Sequence, residues 1–341
     1  MIKPARNCWS LLLLLLAGNV AAAELNTAAL RAAATYSAQH GGLSFLAIQN
    51  GRRLLEQYSD GANSEMALRV YSGTKAFWSL AALAAAEDGL LNLDERVADA
   101  LPPWRNDARK ASITVRQLLD FDCGLEPKFS LQESQSGDRD QIAIGGTIIA
   151  EPGSTFIYGP APLQVFHHLL KAKLHGKAPS HYLERRVLNP MGLGPQRYLE
   201  DGSGNPLLAS GFILTARQWA KLGELVLHKG VPVIEQRLLE QCWRGSAANP
   251  MFSLGWWNNH AASFGREIDV ERMLARKWQQ QDWRNGCLCR DAPEDLVACI
   301  GSGQQRLYVI PSLRLVVVRQ GDGGSFSDAT FWRLLLDRQR P

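Results

Sequence analysis

Apolar residues gather into strand-like patterns near both ends of the chain. Leu43–Tyr58 reads as an apolar run, an Asn50-Gly51 pair and a second run, which is typical of a two-stranded hairpin. Leu296–Gly321 is rich in β-branched and aromatic residues and predicts a strand, a turn at Pro311-Ser312 and another strand. We expect the two hairpins to share one antiparallel sheet.

The pattern between these hairpins is helical. From Ser72 to Glu87 the chain is rich in Ala and Leu, and it stops at Asp88-Gly89. Further helices are predicted at Leu91–Trp104, Ile113–Gly124, Pro162–Leu174, His181–Leu188, Thr215–His228 and Phe326–Gln339, the last capped by Ser327 or Asp328. Residues 126–150 predict a long surface segment, and residues 271–282 give no firm pattern. The fold class is therefore α+β, with an antiparallel sheet, flanking helices and an inserted, mostly helical lobe.

The first 23 residues have the features of a signal peptide. Lys3 and Arg6 precede a run that contains six consecutive leucines, and the small residues Ala21-Ala22-Ala23 follow. We expect cleavage after Ala23, a periplasmic or secreted protein, and one domain over residues 24–341 with no stable membrane insertion. An uncleaved anchor is the alternative interpretation.

The net charge of the chain bears on which partners it could bind. Removal of Lys3 and Arg6 lowers the formal net charge from +4 to +2, which gives no reason to expect nucleic acid or anionic lipid as a partner.

Five cysteines follow the leader: Cys123, Cys242, Cys287, Cys289 and Cys299. Export permits disulfides, so we expect buried thiols or one or two disulfides, with at least one cysteine unpaired. The pair Cys287 and Cys289 lacks the spacing and second ligand pair of a structural zinc site, so we expect no metal.

The stretch RVYSGTKAFWSL, residues 69–80, contains the first candidate for chemistry. Ser72 and Lys75 share one face of a helix, so the lysine amine could take the proton from the serine hydroxyl. Only about 0.04 % of a lysine with a pKa near 10.4 is neutral at pH 7, so burial must lower that pKa by roughly three units. The apolar neighbours Val70, Phe77 and Trp78 would supply such a setting. The alternative is that Ser72 simply caps the helix.

The surroundings of this pair resemble the serine β-lactamase and penicillin-binding-protein superfamily, in particular its class C β-lactamase-related branch of esterases and aminohexanoate-oligomer hydrolases. The matching stretches are Ser72-Gly73-Thr74-Lys75, then DGLLNLDERV, ITVRQLLDFDCGL and EPGSTFIYGP. The last stretch puts Tyr158 at the tyrosine of the Tyr-x-Asn motif. The resemblance implies a β-lactamase/transpeptidase-like fold and catalysis by Ser72, Lys75 and Tyr158. It also implies that the lysine charge lowers the pKa of the phenol.

Two departures from the family pattern concern the substrate. Pro160 stands where the family has asparagine, and a proline offers no side-chain amide to hold the lysine or a substrate. Residues 299–303, CIGSG, stand where the family has a strand with a cation that meets substrate carboxylates. Gly301 still permits close backbone approach, and the N–H groups of Ser72 and Ser302 could form an oxyanion hole.

The sequence therefore predicts an exported serine hydrolase that cleaves an uncharged, small-molecule ester or amide through an acyl-enzyme on Ser72. No metal or organic cofactor is expected. The loss of two family features keeps open a non-catalytic binding protein on the same fold. A true β-lactamase or D,D-peptidase is a further alternative, although the missing cation argues against β-lactams and cell-wall peptides.

Overall fold

The computed structural model describes residues 24–133 and 137–338. The predicted signal peptide, residues 1–23, lies outside them. The helices are α1 (Thr27–Gln39), α2 (Thr74–Glu87), α3 (Val97–Ala100), α4 (Ala108–Ser112), α5 (Val115–Asp120), α6 (Arg139–Ile144), α7 (Ala161–Lys173), α8 (Pro179–Leu183), α9 (Ala216–Leu227), α10 (Gln236–Leu239), α11 (Val270–Leu274) and α12 (Asp328–Leu335). The strands are β1 (Gly42–Gln49), β2 (Arg52–Tyr58), β3 (Leu68–Arg69), β4 (Ile213–Leu214), β5 (Phe252–Ser253), β6 (Trp256–Asn258), β7 (Arg266–Glu267), β8 (Gly286–Cys287), β9 (Val297–Gly301), β10 (Gln305–Ile310) and β11 (Leu315–Gly321).

One antiparallel sheet joins the two ends of the chain, as predicted. Its strand order is β2-β1-β11-β10-β9-β6-β5, and β1 pairs with β11 so that Leu46 lies opposite Val318. The prediction of two strands over residues 296–321 was wrong, because three strands lie there and the chain turns a first time between Gly301 and Gln305. The extra turn places β9 inside the sheet, next to β6.

Helices cover both faces of this sheet, and the helical lobe is inserted between β2 and β5, whereas α11 lies between β7 and β8. Helices α1 and α12 pack together beside β1, whereas α9 packs against β1, β10 and β11. The predicted fold class is confirmed. In the part of the chain that the structure describes, none of the helices has both the length and the apolar character to cross a membrane.

Several helix boundaries differ from the predicted ones for local reasons. Helix α5 ends at Asp120 because Phe121 adopts a left-handed conformation, before the predicted end at Gly124. Residues 126–150 were predicted as surface, yet they include α6 with Arg139 and Asp140 buried. The predicted Ser327 cap of α12 is confirmed, because its side chain accepts a hydrogen bond from the Thr330 N–H.

Helix α2 is the buried centre of the molecule. Its sequence, TKAFWSLAALAAAE, is apolar nearly all round, and every residue from Thr74 to Ala85 is buried. A helix with no polar face needs neighbours on all sides. The turn Leu254-Gly255 supplies one of them, since both residues have positive φ angles and the turn lies directly on the α2 backbone at Lys75 and Ala76.

Two buried carboxylates lie close together where α5 ends. Asp120 accepts hydrogen bonds from the Ser253 hydroxyl at 2.8 Å and from the Leu254 N–H at 3.0 Å. Burial raises the pKa of Asp120 to about 6. Burial, together with repulsion from Asp120, raises the pKa of Asp122 to about 7. At a pH between the unfolded and the folded pKa values, Asp120 and Asp122 therefore keep their protons in the folded protein and lose them in the unfolded chain.

Replacement of Gly255 by alanine should destabilise the fold. A Cβ there would lie 2.8 Å from the Ala76 nitrogen and 2.9 Å from the Lys75 carbonyl carbon, and the φ of +82° is strained for alanine. We expect a loss of about 2–4 kcal/mol in the free energy of unfolding, measured by chemical denaturation. Gly202→Ala is the control, because no atom lies within 4 Å of its Cβ position and its φ is ordinary. Equal stabilities of the two variants would contradict the proposed contact.

Replacement of Asp122 by asparagine should flatten the dependence of stability on pH. Between about pH 4 and pH 7 the folded state binds the proton more tightly than the unfolded state, so stability falls as the pH rises through this window. We expect Asp122→Asn to stabilise the fold by about 2–4 kcal/mol at pH 8 and little at pH 4. Denaturation curves at several pH values measure this, with the exposed Asp99→Asn as control. An unchanged slope would show that Asp122 is not buried in its protonated form.

Candidate active site

Ser72 lies in a short turn that precedes α2. A 3-10 helix spans Tyr71–Gly73, and Tyr71 has a φ of +44°, which is strained for a residue with a side chain. The predicted alternative, in which Ser72 caps the helix, is wrong because Gly73 occupies the cap position of α2 and no side-chain cap bond forms there. The Ser72 hydroxyl is left to interact with Lys75.

Lys75 extends from the first turn of α2 to the serine. Its Nζ donates hydrogen bonds to Ser72 Oγ at 2.8 Å and to the Ala209 carbonyl oxygen at 2.6 Å. The side chain is buried, and this burial lowers the pKa of Lys75 to about 7. This decrease in the Lys75 pKa matches the decrease of roughly three units that a lysine base requires at neutral pH. About half of the lysine is therefore neutral near pH 7.

Tyr158 lies over the same pair. Lys75 Nζ is 4.6 Å from the centroid of the Tyr158 ring, and the phenol interacts with the Ser72 side chain. The expected decrease of the phenol pKa was wrong. Burial raises the pKa of Tyr158, and the interaction with Ser72 only opposes that rise. Tyr158 therefore stays protonated at neutral pH and can donate a hydrogen bond.

Gly301 and Ser302 close the site from the end of β9. A Cβ at Gly301 would lie 2.2 Å from the Val70 carbonyl oxygen, so the strand packs directly against the turn that carries Ser72. Ser72, Tyr158, Gly301 and Ser302 line one cavity of about 270 Å³. The structure thus brings all five predicted site residues together, Lys75 lying just behind the cavity wall.

Pro160, at the start of α7, leaves the lysine to a different partner. Lys75 binds the Ala209 carbonyl, and the neighbouring Leu208 N–H donates to the Gln164 side chain at 3.1 Å. Gln164 in turn donates to Asp140 at 2.9 Å. Asp140 is also hydrogen-bonded to the buried His167 at 2.6 Å. A buried polar chain therefore fixes the main chain that holds the lysine.

Sequence reasoning missed Ala209 because its backbone carbonyl, which carries no sequence signal, makes the contact. It also missed Glu271, whose short helix α11 falls in a stretch without a firm pattern. The Glu271 carboxylate lines the cavity and forms an ion pair with Arg306 at 3.0 Å. The only signal was an acidic residue in IDVERML, which also contains Asp269, and neither carboxylate could be placed beside the serine without the fold.

The five cysteines are buried free thiols in the structure. Cys289 lies near the carboxylates of Glu267 and Asp291, an arrangement of ligand atoms that could in principle hold a cation. Arg333 forms ion pairs with both carboxylates, at 2.7 Å to Asp291. The guanidinium thus supplies the positive charge that a metal ion would bring, and these residues fit an ion-pair network rather than a metal centre.

The chain matches a known protein family. The sequence profile of the Beta-lactamase family matches residues 27–326. The chain belongs to the Beta-lactamase family. The family membership confirms the resemblance and the β-lactamase/transpeptidase-like fold, and Beta-lactamase family proteins of this fold are serine hydrolases.

Solved structures agree on the fold. The chain is similar to a class C beta lactamase from Rhodobacter sphaeroides, with a TM-score of 0.67 and 18% identity over 92% of this chain and 99% of that one. It is also similar to a family VIII carboxylesterase, with a TM-score of 0.66 and 16% identity over 93% of this chain and 97% of that one. Identities this low relate the folds and leave the reaction open.

A sequence similarity to a curated protein covers about a third of this chain. Protein flp of Staphylococcus aureus (strain NCTC 8325 / PS 47) is 27% identical over 133 residues, which is 34% of this chain and 27% of that protein. The chain thus matches about a quarter of the length of this relative.

Proposed function

We propose that the protein is a serine hydrolase that cleaves an ester or amide through an acyl-enzyme on Ser72. The observation that supports this most directly is the 2.8 Å contact between Ser72 Oγ and a lysine whose pKa is about 7. A serine hydroxyl needs an adjacent base to become a nucleophile, and a neutral amine at this distance is one. Export to the periplasm after cleavage at Ala23 belongs to the same proposal.

The proposed reaction has two halves. In the first, Ser72 Oγ attacks the substrate carbonyl while neutral Lys75 accepts the hydroxyl proton. The N–H groups of Ser72 and Ser302 stabilise the oxyanion, a contribution of about 3–4 kcal/mol per donor in comparable sites. Protonated Lys75, with Tyr158 as a hydrogen-bond donor, returns the proton to the leaving group. In the second half, water attacks the acyl-enzyme by the reverse proton path, which releases the acid and regenerates Ser72.

The wall of the cavity argues against a substrate that carries a carboxylate. Position 302 is a serine, and no lysine or arginine side chain of the described residues lines the cavity. A carboxylate there would lose its hydration without gaining a charged partner. We therefore propose an ester or amide without a carboxylate near the scissile bond, in preference to a β-lactam or a cell-wall peptide.

Replacement of Ser72 by alanine should abolish covalent labelling by a fluorophosphonate probe. The probe reacts only with an activated serine, and alanine has no hydroxyl. In-gel labelling measures the result, and thermal unfolding checks that the variant is folded. Ser325→Ala, on an exposed loop, should label as the wild type does.

Labelling that survives in the Ser72→Ala variant would contradict the assignment. A wild-type protein that takes no label and cleaves no p-nitrophenyl ester would instead favour a non-catalytic binding protein. Labelling by a fluorescent penicillin, or turnover of nitrocefin, would favour a β-lactamase or D,D-peptidase.

The rate of ester cleavage should depend on pH through Lys75. The neutral amine is the active form, so kcat/KM for an uncharged p-nitrophenyl ester should rise with pH to a plateau, with a midpoint of about 7. At pH 5 the rate should be about 100-fold below the plateau, because only about 1 % of the lysine is neutral there.

The variant Lys75→Arg tests the same assignment, since a guanidinium stays protonated and cannot act as base. It should lose about 100- to 10,000-fold in kcat at every pH. A wild-type midpoint near 10, or a profile without a slope, would show that Lys75 is not the base.

A further inference from the structure

The cavity beside Ser72 contains a single charged residue among the described residues that line it. The lining is otherwise apolar or neutral, and it includes the apolar side chains of Leu274, Ala275 and Ile300 as well as several hydroxyl groups. The charge belongs to Glu271, on the first turn of α11. A carboxylate in this cavity is opposite in sign to the cation that the family carries on the strand corresponding to residues 299–303.

Buried contacts fix the Glu271 carboxylate in place. Arg306 donates from Nη2 to Glu271 Oε2 at 3.0 Å, and its Nη1 donates to the Gly301 carbonyl oxygen at 3.3 Å. The Arg306 side chain is 1% exposed, whereas that of Glu271 is 27% exposed. The same guanidinium therefore holds both the carboxylate and the end of the strand that carries Ser302.

Glu271 belongs to a cluster of four charged side chains, and each of its carboxylate oxygens has a partner: Arg306 donates to Oε2, and the Gln304 N–H donates to Oε1 at 3.4 Å. Asp328 binds Arg306 through both carboxylate oxygens, at 2.8 and 3.2 Å, so two carboxylates share one guanidinium. Arg319, the other nearby cation, donates instead to the carbonyl oxygens of Gln304 and His40. The four side chains sum to zero formal charge, but only Glu271 lines the cavity.

Glu271 is also close to the reacting groups. Its charge adds to the burial that raises the pKa of Tyr158, whose phenol lies beside Ser72. A substrate carbonyl at Ser72 would therefore have a fixed carboxylate within the same cavity of about 270 Å³.

We propose that Glu271 is a specificity-determining residue that selects esters or amides carrying a positively charged ammonium group within a few bonds of the scissile carbonyl. The inference rests on the proposed hydrolase function. A cation in the cavity would be attracted to the carboxylate and could displace weakly held water, whereas a substrate carboxylate would be repelled. The apolar side chains would contact the carbon chain between the ammonium and the carbonyl.

Two pairs of substrates of equal shape test the proposal, one with the charge in the acyl group and one with it in the leaving group. The acyl pair is p-nitrophenyl 4-(trimethylammonio)butanoate and p-nitrophenyl 5,5-dimethylhexanoate. The leaving-group pair is acetylthiocholine and S-(3,3-dimethylbutyl) thioacetate. In at least one pair, kcat/KM for the cation should exceed that for the neutral substrate by about 10-fold at low salt, and the ratio should fall as salt is added.

Three variants test whether Glu271 causes the preference for the cationic substrate. In Glu271→Gln the preference for the cation should be lost, so that the ratio within the pair falls to about 1. Glu271→Asp keeps the charge and should keep part of the preference. Glu65→Gln removes an exposed carboxylate outside the cavity and should leave the ratio as in the wild type. Thermal unfolding checks that loss of the Arg306 ion pair has not unfolded the glutamine variant.

The outcomes separate this inference from the proposed function. Equal rates within both pairs, with Ser72 still labelled and neutral esters still cleaved, would overturn the role of Glu271 alone. A preference for the cation that persists in Glu271→Gln would overturn it as well. Absence of both labelling and ester cleavage would overturn the hydrolase proposal itself.

Discussion

Removal of the Lys75 amine from water is the constraint on which the rest of the structure depends. An amine keeps its proton unless burial makes the charged form costly, and burial on this scale requires protein on every side. The apolar sequence of α2 supplies one part of that enclosure, and the Leu254-Gly255 turn and the Ala209 segment supply others. The packing around α2 thus lowers the pKa of Lys75 to about 7, which is the property that the proposed reaction requires.

The buried polar groups divide into those that serve this amine and those that hold the cavity wall. Gln164, Asp140 and His167 form a hydrogen-bonded chain behind the Ala209 segment, where they satisfy one another without exposing the lysine to water. Arg306 holds the cavity wall, because it donates hydrogen bonds to Glu271 in α11, Gly301 in β9 and Asp328 in α12. The donor nitrogens of Gln164 and Arg306 in these networks are paired with acceptors, which is the condition for placing polar groups in an apolar interior.

The sequence allowed much of this arrangement to be predicted, and the failures have a common cause. Hairpins and long helices follow local patterns of apolar residues, and the spacing of Ser72 and Lys75 places them on one helical face without knowledge of the fold. Tyr158 was found only through the resemblance. What could not be predicted depends on partners far along the chain. The buried Arg139 donates to the Asn205 carbonyl oxygen, and Glu271 at the cavity is paired with Arg306.

The pairing of β1 with β11 has a consequence for how the protein gains its site. Gly42 lies opposite Gly321, so β1 cannot pair with β11 until the chain from residue 42 to residue 321 is available. The strand that faces Ser72 belongs to the same late segment. Contacts that join such distant residues form slowly, because the intervening chain must first be confined. A partly folded chain therefore carries Ser72 and Lys75 without a complete cavity, and the proposed nucleophile gains its surroundings only late in folding.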